Sequence, residues 1–311
     1  SRILTVKRWA NPSVYNFAAS MLLGNLAIIL IVNIDILGLK LFVNETDSGQ
    51  ITGHYRSASI LARIPFGIVA GLMAAVFAFI ARAKDADEYI AYINRMFKYA
   101  LIFCFPAAIV LVSIPESILG LFFPESYRSA ASSLQILAFG LGPLAFVQIL
   151  TQTLQARGMP KIPAFLLPIA VLLQCILLVV LVPSMGMNGA AIATSGACFL
   201  GLILLLTMFK RIGKIPFNLA TLRIIPVFGI LGIFLYYFPH STRMLTLLDL
   251  VLGGVIYLLM LIMMKFVTER DIEIIGDSLP RLRGVNGILE AVTSVVNFLN
   301  IEWPSKVKGQ S

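Results

Sequence analysis

Eight apolar stretches of membrane-spanning length run through this chain of 311 residues. They cover 15–42, 55–81, 97–114 (with an apolar continuation to 122), 132–155, 162–183, 189–209, 222–239 and 246–265. A hydrocarbon slab of roughly 30 Å needs about 20 apolar residues per helix. Lipid offers no hydrogen-bond partners, so only helices and closed barrels cross it. The apolar runs are continuous, not alternating, which selects helices over barrel strands. The expected fold is all-α: a polytopic transmembrane helical bundle of about eight spans. Hydrophobic residues make up 59% of the chain and charged residues 13%. That balance is far from a soluble domain's, with its quarter of charged residues.

The net charge of +9 orients the chain. Arg2, Lys7 and Arg8 precede the first span. Arg82, Lys84, Arg95 and Lys98 follow the second, and Arg157 and Lys161 follow the fourth. Lys210, Arg211, Lys214 and Arg223 follow the sixth; Lys265, Arg270, Arg281 and Arg283 follow the last. With alternating spans, all of these fall on one side, while the other side has Lys40, Arg56, Arg128 and Arg243. This positive-inside bias places both termini of the segment in the cytoplasm of a multi-pass cell-membrane protein. The basic charge meets anionic lipid headgroups, and no nucleic-acid role is expected.

Four regions are expected. Residues 1–13 are a basic cytoplasmic lead-in, 14–210 carry six spans, 211–267 carry two more, and 268–311 form a cytoplasmic tail. The Arg82–Lys98 link mixes both signs of charge and fits a short surface helix. In the tail, Ile288, Val292, Val295, Val296 and Leu299 recur at helical spacing opposite Asn286, Glu290, Thr293 and Asn297. That amphipathic helix lies on the membrane surface or packs on the protein's own inner end. Prolines 65, 106, 143, 168 and 226 interrupt spans, and Gly140-Leu-Gly142-Pro143 reads as a kink near mid-membrane. Gly189, Ala193, Ala197 and Gly201 make one small-residue face, as do Gly67 and Gly71, for close helix packing.

Chemistry-bearing residues are few. Cys104, Cys175 and Cys198 lie inside spans and read as buried apolar residues, neither disulfides nor metal ligands. The two histidines, His54 and His240, fall in predicted outer loops. No metal spacing, nucleophile elbow or phosphate-binding glycine motif occurs, so no metal, cofactor or catalytic group is expected. A membrane glycosyl- or acyltransferase remains an alternative, but Glu45, Asp47, His54, Glu116 and Glu125 are scattered.

The informative groups are polar ones at membrane depth. Asp35 lies eight residues before the first span ends near Val43, and Arg63 ten after the second begins near Gly53. A rise of ~1.5 Å per residue puts both roughly 12–15 Å below the outer surface. An isolated charge there is costly. Two readings stay open: a cavity site whose partner exchanges with a substrate anion or coupling cation, or a permanent ion pair fixing two helices. Gln148, Gln152 and Gln155, with Thr151, form a polar stripe on the fourth span. The stripe lines a sugar-accommodating cavity or bonds neighbouring helices, for example through Gln174. Asn25 and Asn33 carry similar amides on the first span.

Three stretches carry a family resemblance. The first is Asn33-Ile-Asp35-Ile-Leu-Gly-Leu with Ser48-Gly-Gln-Ile-Thr-Gly53-His-Tyr55-Arg-Ser-Ala58. The second is Leu121-Phe-Phe-Pro124-Glu-Ser-Tyr127-Arg-Ser-Ala-Ala131 before Leu134-Gln-Ile-Leu. The third is Leu154-Gln-Ala-Arg-Gly158-Met-Pro-Lys161 with Leu181-Val-Pro183-Ser-Met-Gly186-Met-Asn-Gly189-Ala-Ala-Ile-Ala-Thr194. Over residues 30–210 these resemble the polysaccharide-biosynthesis flippases of the multidrug/oligosaccharidyl-lipid/polysaccharide exporter superfamily, a group that includes O-antigen and lipid II flippases.

The resemblance implies two six-helix lobes, some members having two extra C-terminal helices. Residues 14–210 would match the second lobe and 211–267 the extra pair, with 1–13 as the interlobe linker. The first lobe would then be the missing partner, in the same chain if this is a fragment, as the absent initiator Met favours, or in a second copy. It further implies alternating access for a polyprenyl- or dolichyl-diphosphate-linked oligosaccharide. Arg63 and Arg56 are the diphosphate candidates, Gln148, Gln152 and Gln155 the saccharide candidates, and Asp35 the candidate for proton or sodium coupling. A multidrug exporter of the same superfamily is the nearer alternative. One buried acid beside one or two arginines leans instead toward an anionic substrate.

Overall fold

A computed structural model describes residues 12–43, 48–83, 85–211, 224–238 and 242–264. The expected lead-in to residue 11 and the expected tail helix lie outside the described residues, as does His240. The helices are α1 (Pro12–Phe42), α2 (Ser48–Arg82), α3 (Ala86–Ser113), α4 (Pro115–Phe122), α5 (Ala131–Ala156), α6 (Lys161–Met185), α7 (Met187–Arg211), α8 (Ile225–Tyr237) and α9 (Arg243–Met263), with a 3-10 turn at Glu125–Ala130 before α5. The described residues contain no strand, so the fold is the expected all-α membrane bundle.

Helix α5 is the central post. It packs on α2, α3 and α7, while α6 joins α7 to α1. Leu134, Leu137, Leu144, Ile149 and Leu150 of α5 are fully buried. The outer faces are greasy instead of polar: Phe165, Leu172, Ile176 and Val180 of α6 are exposed. In water such a face would be a liability; in a bilayer it is the lipid surface. Helices α8 and α9 attach at the side through α3 and α4, where the Tyr257 hydroxyl donates to the Ile102 carbonyl at 2.8 Å.

Contacts between helix ends establish the alternation. At one end His54, near the start of α2, meets Ser129 of the 3-10 turn at 2.9 Å and the Tyr127 ring at 4.6 Å. There too Ser133 of α5 donates to Asn188 of α7 at 2.8 Å. At the other, basic end Arg157 donates to the Ala83 carbonyl after α2 at 3.2 Å and stacks 4.6 Å over Tyr89 of α3. The α5–α6 turn at this end closes through Gly158, whose φ of +79° suits glycine.

Several boundaries differ from expectation. The third span starts at Ala86, so the charged link expected as a separate surface helix is the first turns of α3. It stops at Ser113 because Pro115 follows, and the residue before a proline disfavours helical geometry; Ile114 sits at φ −134°. Pro115 then begins α4 as a separate helix. The expected span 222–239 has 13 helical residues, Ile225–Tyr237, about 20 Å long. Six helices among the described residues are long and apolar enough to cross a membrane, and Ile225–Tyr237 is a further, shorter apolar helix. His54 lies inside α2, nearly buried, not in a loop.

The prolines and glycines also depart from expectation. Helices α2, α3, α5 and α6 run through Pro65, Pro106, Pro143 and Pro168 without a break, and Pro226 sits in the first turn of α8. Gly140, read as part of a kink, is the point where α5 touches α7: a Cβ there would collide with Ser195. Gly189 likewise lets α7 approach the Leu181 backbone of α6, but Gly67 and Gly71 meet nothing within 4 Å. Cys104 and Cys198 are buried, Cys175 partly so, and all three are free thiols.

Candidate functional site: a buried carboxylate and an open guanidinium

Asp35 lies at the middle of the α1–α2–α6–α7 seam with 1% of its surface exposed. The fully buried Tyr55 of α2 donates its hydroxyl to Oδ2 at 2.7 Å. Thr194 of α7 donates to the same oxygen at 3.3 Å, and the Ile36 amide donates to Oδ1 at 2.8 Å. Gln174 of α6 completes the chain: its Nε2 donates to Thr194 Oγ1 at 3.0 Å and to the Ile31 carbonyl at 2.9 Å. The network around this carboxylate thus ties four helices, with α2 and α7 bonded to it directly and α6 through Gln174 and Thr194. Tyr55→Phe removes the shortest of its side-chain contacts, and hydrogen bonds to charged groups contribute about 1.5–3 kcal/mol. We expect the Tyr55→Phe protein in detergent to melt measurably lower than wild type. Thr194→Val, at a longer contact, should cost less.

Arg63 is near Asp35 in depth but does not pair with it. Its Nη1 donates to Asn33 Oδ1 at 3.1 Å and its Nη2 to the Val32 carbonyl. No described carboxylate lies within salt-bridge distance, and the charges of Asp35 and Arg63 act on each other only through space. The physical reason is angular. Asp35 and Asn33 are two residues apart on α1, about 200° around a helix of 3.6 residues per turn. Asp35 therefore faces Tyr55 of α2 and Thr194 of α7, while Asn33 is exposed and meets Arg63 on the opposite, open face. A guanidinium has five N–H donors; two are engaged, leaving three without a described acceptor.

The remaining candidates separate. Arg56 is exposed on α2, two turns from Arg63. Gln155 is buried and donates to Asn25 of α1 at 3.2 Å, so it joins helices. Its Oε1 and the Thr151 hydroxyl are buried without a described partner. Gln148 and Gln152 are half-buried. Gln174 bonds α1 and α7, not the glutamine stripe. Sequence reasoning also missed a second buried acid: Asp249 of α9 is fully buried, with Thr246 one turn before it. Its place in Leu-Leu-Asp-Leu, inside the last span, was the available signal.

A helical bundle with apolar outer surfaces and six helices long and apolar enough to cross a membrane among the described residues is the build of a multi-pass membrane protein. The family model for lipid II flippase MurJ matches residues 4–274. The chain belongs to the MurJ lipid II flippase family, a family of transporters. Its fold is similar to a solved lipid II flippase MurJ in the inward closed conformation, with a TM-score of 0.64 at 20% identity over 75% of this chain and 50% of that one. It is 29% identical over 165 residues to an uncharacterized membrane protein of Methanocaldococcus jannaschii, covering 53% of this chain and 32% of that protein. A protein of Shigella flexneri named "Putative O-antigen transporter" is 26% identical over 179 residues, covering 57% and 43%. The chain thus spans half or less of the length of each of these three proteins.

Proposed function

We propose that this chain is one lobe, with two accessory helices, of a flippase that moves a polyprenyl- or dolichyl-diphosphate-linked saccharide across the membrane by alternating access. The lobe works opposite a second one, in the same polypeptide or another copy. Family membership supports a lipid-linked precursor as cargo. The observation that carries the reading is Arg63: half-buried, anchored on α1, with three N–H groups left for an acceptor. A cation held at membrane depth without a carboxylate calls for an anion or a wet cavity. A diphosphate supplies oxygens in the fork geometry that arginine matches. Arg56 is a second contact nearer the surface, and Gln148 and Gln152 face the saccharide. Asp35 is the coupling group, since a carboxylate at the centre of a network that joins four helices senses their relative position. The basic end faces the cytoplasm.

The test is transport by the full-length protein in liposomes, read with a fluorescent short-chain polyprenyl-diphosphate saccharide. Wild type should speed its appearance in the opposite leaflet, Arg63→Lys should retain part of the rate, and Arg63→Gln should lose at least about tenfold, the scale of a charge-assisted hydrogen bond. Equal rates for wild type and Arg63→Gln would remove Arg63 from the site. Equal rates with and without protein would reject the flippase reading.

A further inference from the structure

We infer that Asn33 is a positioning residue for Arg63, a neutral acceptor that fixes the guanidinium for an incoming phosphate without cancelling its charge. The inference rests on the diphosphate reading above.

The geometry fixes the amide first. Asn33 Nδ2 donates to the Ile29 carbonyl, one turn back on its own helix, at 2.8 Å. With the NH₂ group held there, Oδ1 turns away from the α1 backbone toward α2, where it accepts from Arg63 Nη1 at 3.1 Å. The second anchor is the Val32 carbonyl, which takes Nη2. Two acceptors adjacent in sequence on α1 therefore hold two different nitrogens of one planar group. An arginine otherwise has many rotamers, and ordering them on binding costs affinity. Here the ordering is done before substrate arrives.

Both anchors are uncharged, and this is the decisive feature. A carboxylate at position 33 would hold the guanidinium more firmly and neutralise it. An amide holds it and leaves the charge for a ligand. The one carboxylate nearby in sequence, Asp35, is turned to the other side of α1 and taken up by Tyr55 and Thr194. Asn33 is exposed and Arg63 half-buried on the face of α1 and α2 that nothing in the described chain covers, with Ile29, Ile60 and Ile64 also exposed beside them.

Substitution at position 33 separates positioning from simple helix tethering. In the full-length protein, binding of a short-chain polyprenyl diphosphate is measured alongside the melting temperature, with the corresponding polyprenol as control. N33D keeps a partner for Arg63, so its melting temperature should stay near wild type, while diphosphate affinity falls about tenfold or more and polyprenol binding is unchanged. N33L should lose both affinity and melting temperature. If N33D binds the diphosphate as wild type does while R63Q does not, Asn33 only tethers helices and the inference is wrong. If R63Q also binds as wild type, the reading of Arg63 falls and takes this inference with it.

Discussion

Asp35→Ala is expected to be the most damaging truncation in the helix seam, with the full-length protein recovered from membranes in poor yield and melting well below wild type. The loss removes the acceptor for two buried hydroxyls, Tyr55 and Thr194. Each buried donor left unmade costs about 1–3 kcal/mol. Membrane interiors offer no water to replace it. Asp35→Asn tests function because it keeps the volume and one acceptor oxygen. Its amide oxygen, placed where Oδ2 was, can accept from both Tyr55 and Thr194, but its NH₂ group then replaces Oδ1 and faces the Ile36 amide, which loses its side-chain acceptor. That costs a fraction of the alanine penalty and should leave a folded protein. If Asp35 is the coupling group, the Asn variant folds yet no longer changes rate when a proton or sodium gradient is imposed across liposomes. An Asn variant that follows the gradient as wild type does would make Asp35 a structural tie only.

The contrast between Asp35 and Arg63 shows what a sequence of spans reveals. Depth is a count of residues from a boundary, and that count puts both groups at one level; Arg63 meets α1 at residues 32 and 33, within a turn of Asp35. Azimuth is a count modulo 3.6, and it separates them. Asn33 and Asp35 lie on opposite sides of α1, so the arginine that reaches the open face finds the amide, while the acid faces Tyr55 and Thr194. Long apolar runs were legible for the same one-dimensional reason: α1, α5, α6, α7 and α9 begin and end within a few residues of expectation. Apolarity fails where a helix leaves the hydrocarbon. The first turns of α3 carry Glu88, Arg95 and Lys98, and hydropathy alone cuts them off although the backbone continues. Asp249 lies inside the apolar run 246–265, where a hydropathy average hides a single charge.

Small residues were harder still. Gly67 and Gly71 share the four-residue spacing of Gly189 and Ala193, but among the described residues only the second pair is covered by a neighbour. Spacing shows that two helices can approach; it does not say whether a helix is there. Gln174 was similarly read as a possible partner of the glutamine stripe, because amide chemistry is generic. Its actual partners, Ile31 and Thr194, depend on α6 lying between α1 and α7, a packing fact with no local signature.

Gly140→Ala should lower the melting temperature sharply, whereas Gly142→Ala on the same helix should be tolerated. Both exchanges offer the same gain in helix propensity, about 1 kcal/mol in Ala's favour, so their difference isolates what each new methyl group meets. At position 142 the nearest atom is the Phe105 ring edge at 4.0 Å, an ordinary contact. At position 140 the methyl would overlap the Ser195 side chain and come within 2.6 Å of its Cα. Backbone cannot swing aside as a side chain can, so α5 and α7 must separate. Overpacking of this kind costs about 1–3 kcal/mol, occasionally more. Separation would also break the bond from Ser195 Oγ to the Ile136 carbonyl, now 3.0 Å. Trimming the partner should not restore the fit: Ser195→Ala removes the hydroxyl but leaves Cα in place, so the double variant should remain well below Ser195→Ala alone. Thermal unfolding of the four proteins in detergent decides the matter. A stable Gly140→Ala protein would mean that Gly140 serves as a hinge within α5, as the Gly140–Pro143 run first implied, and not as its contact with α7.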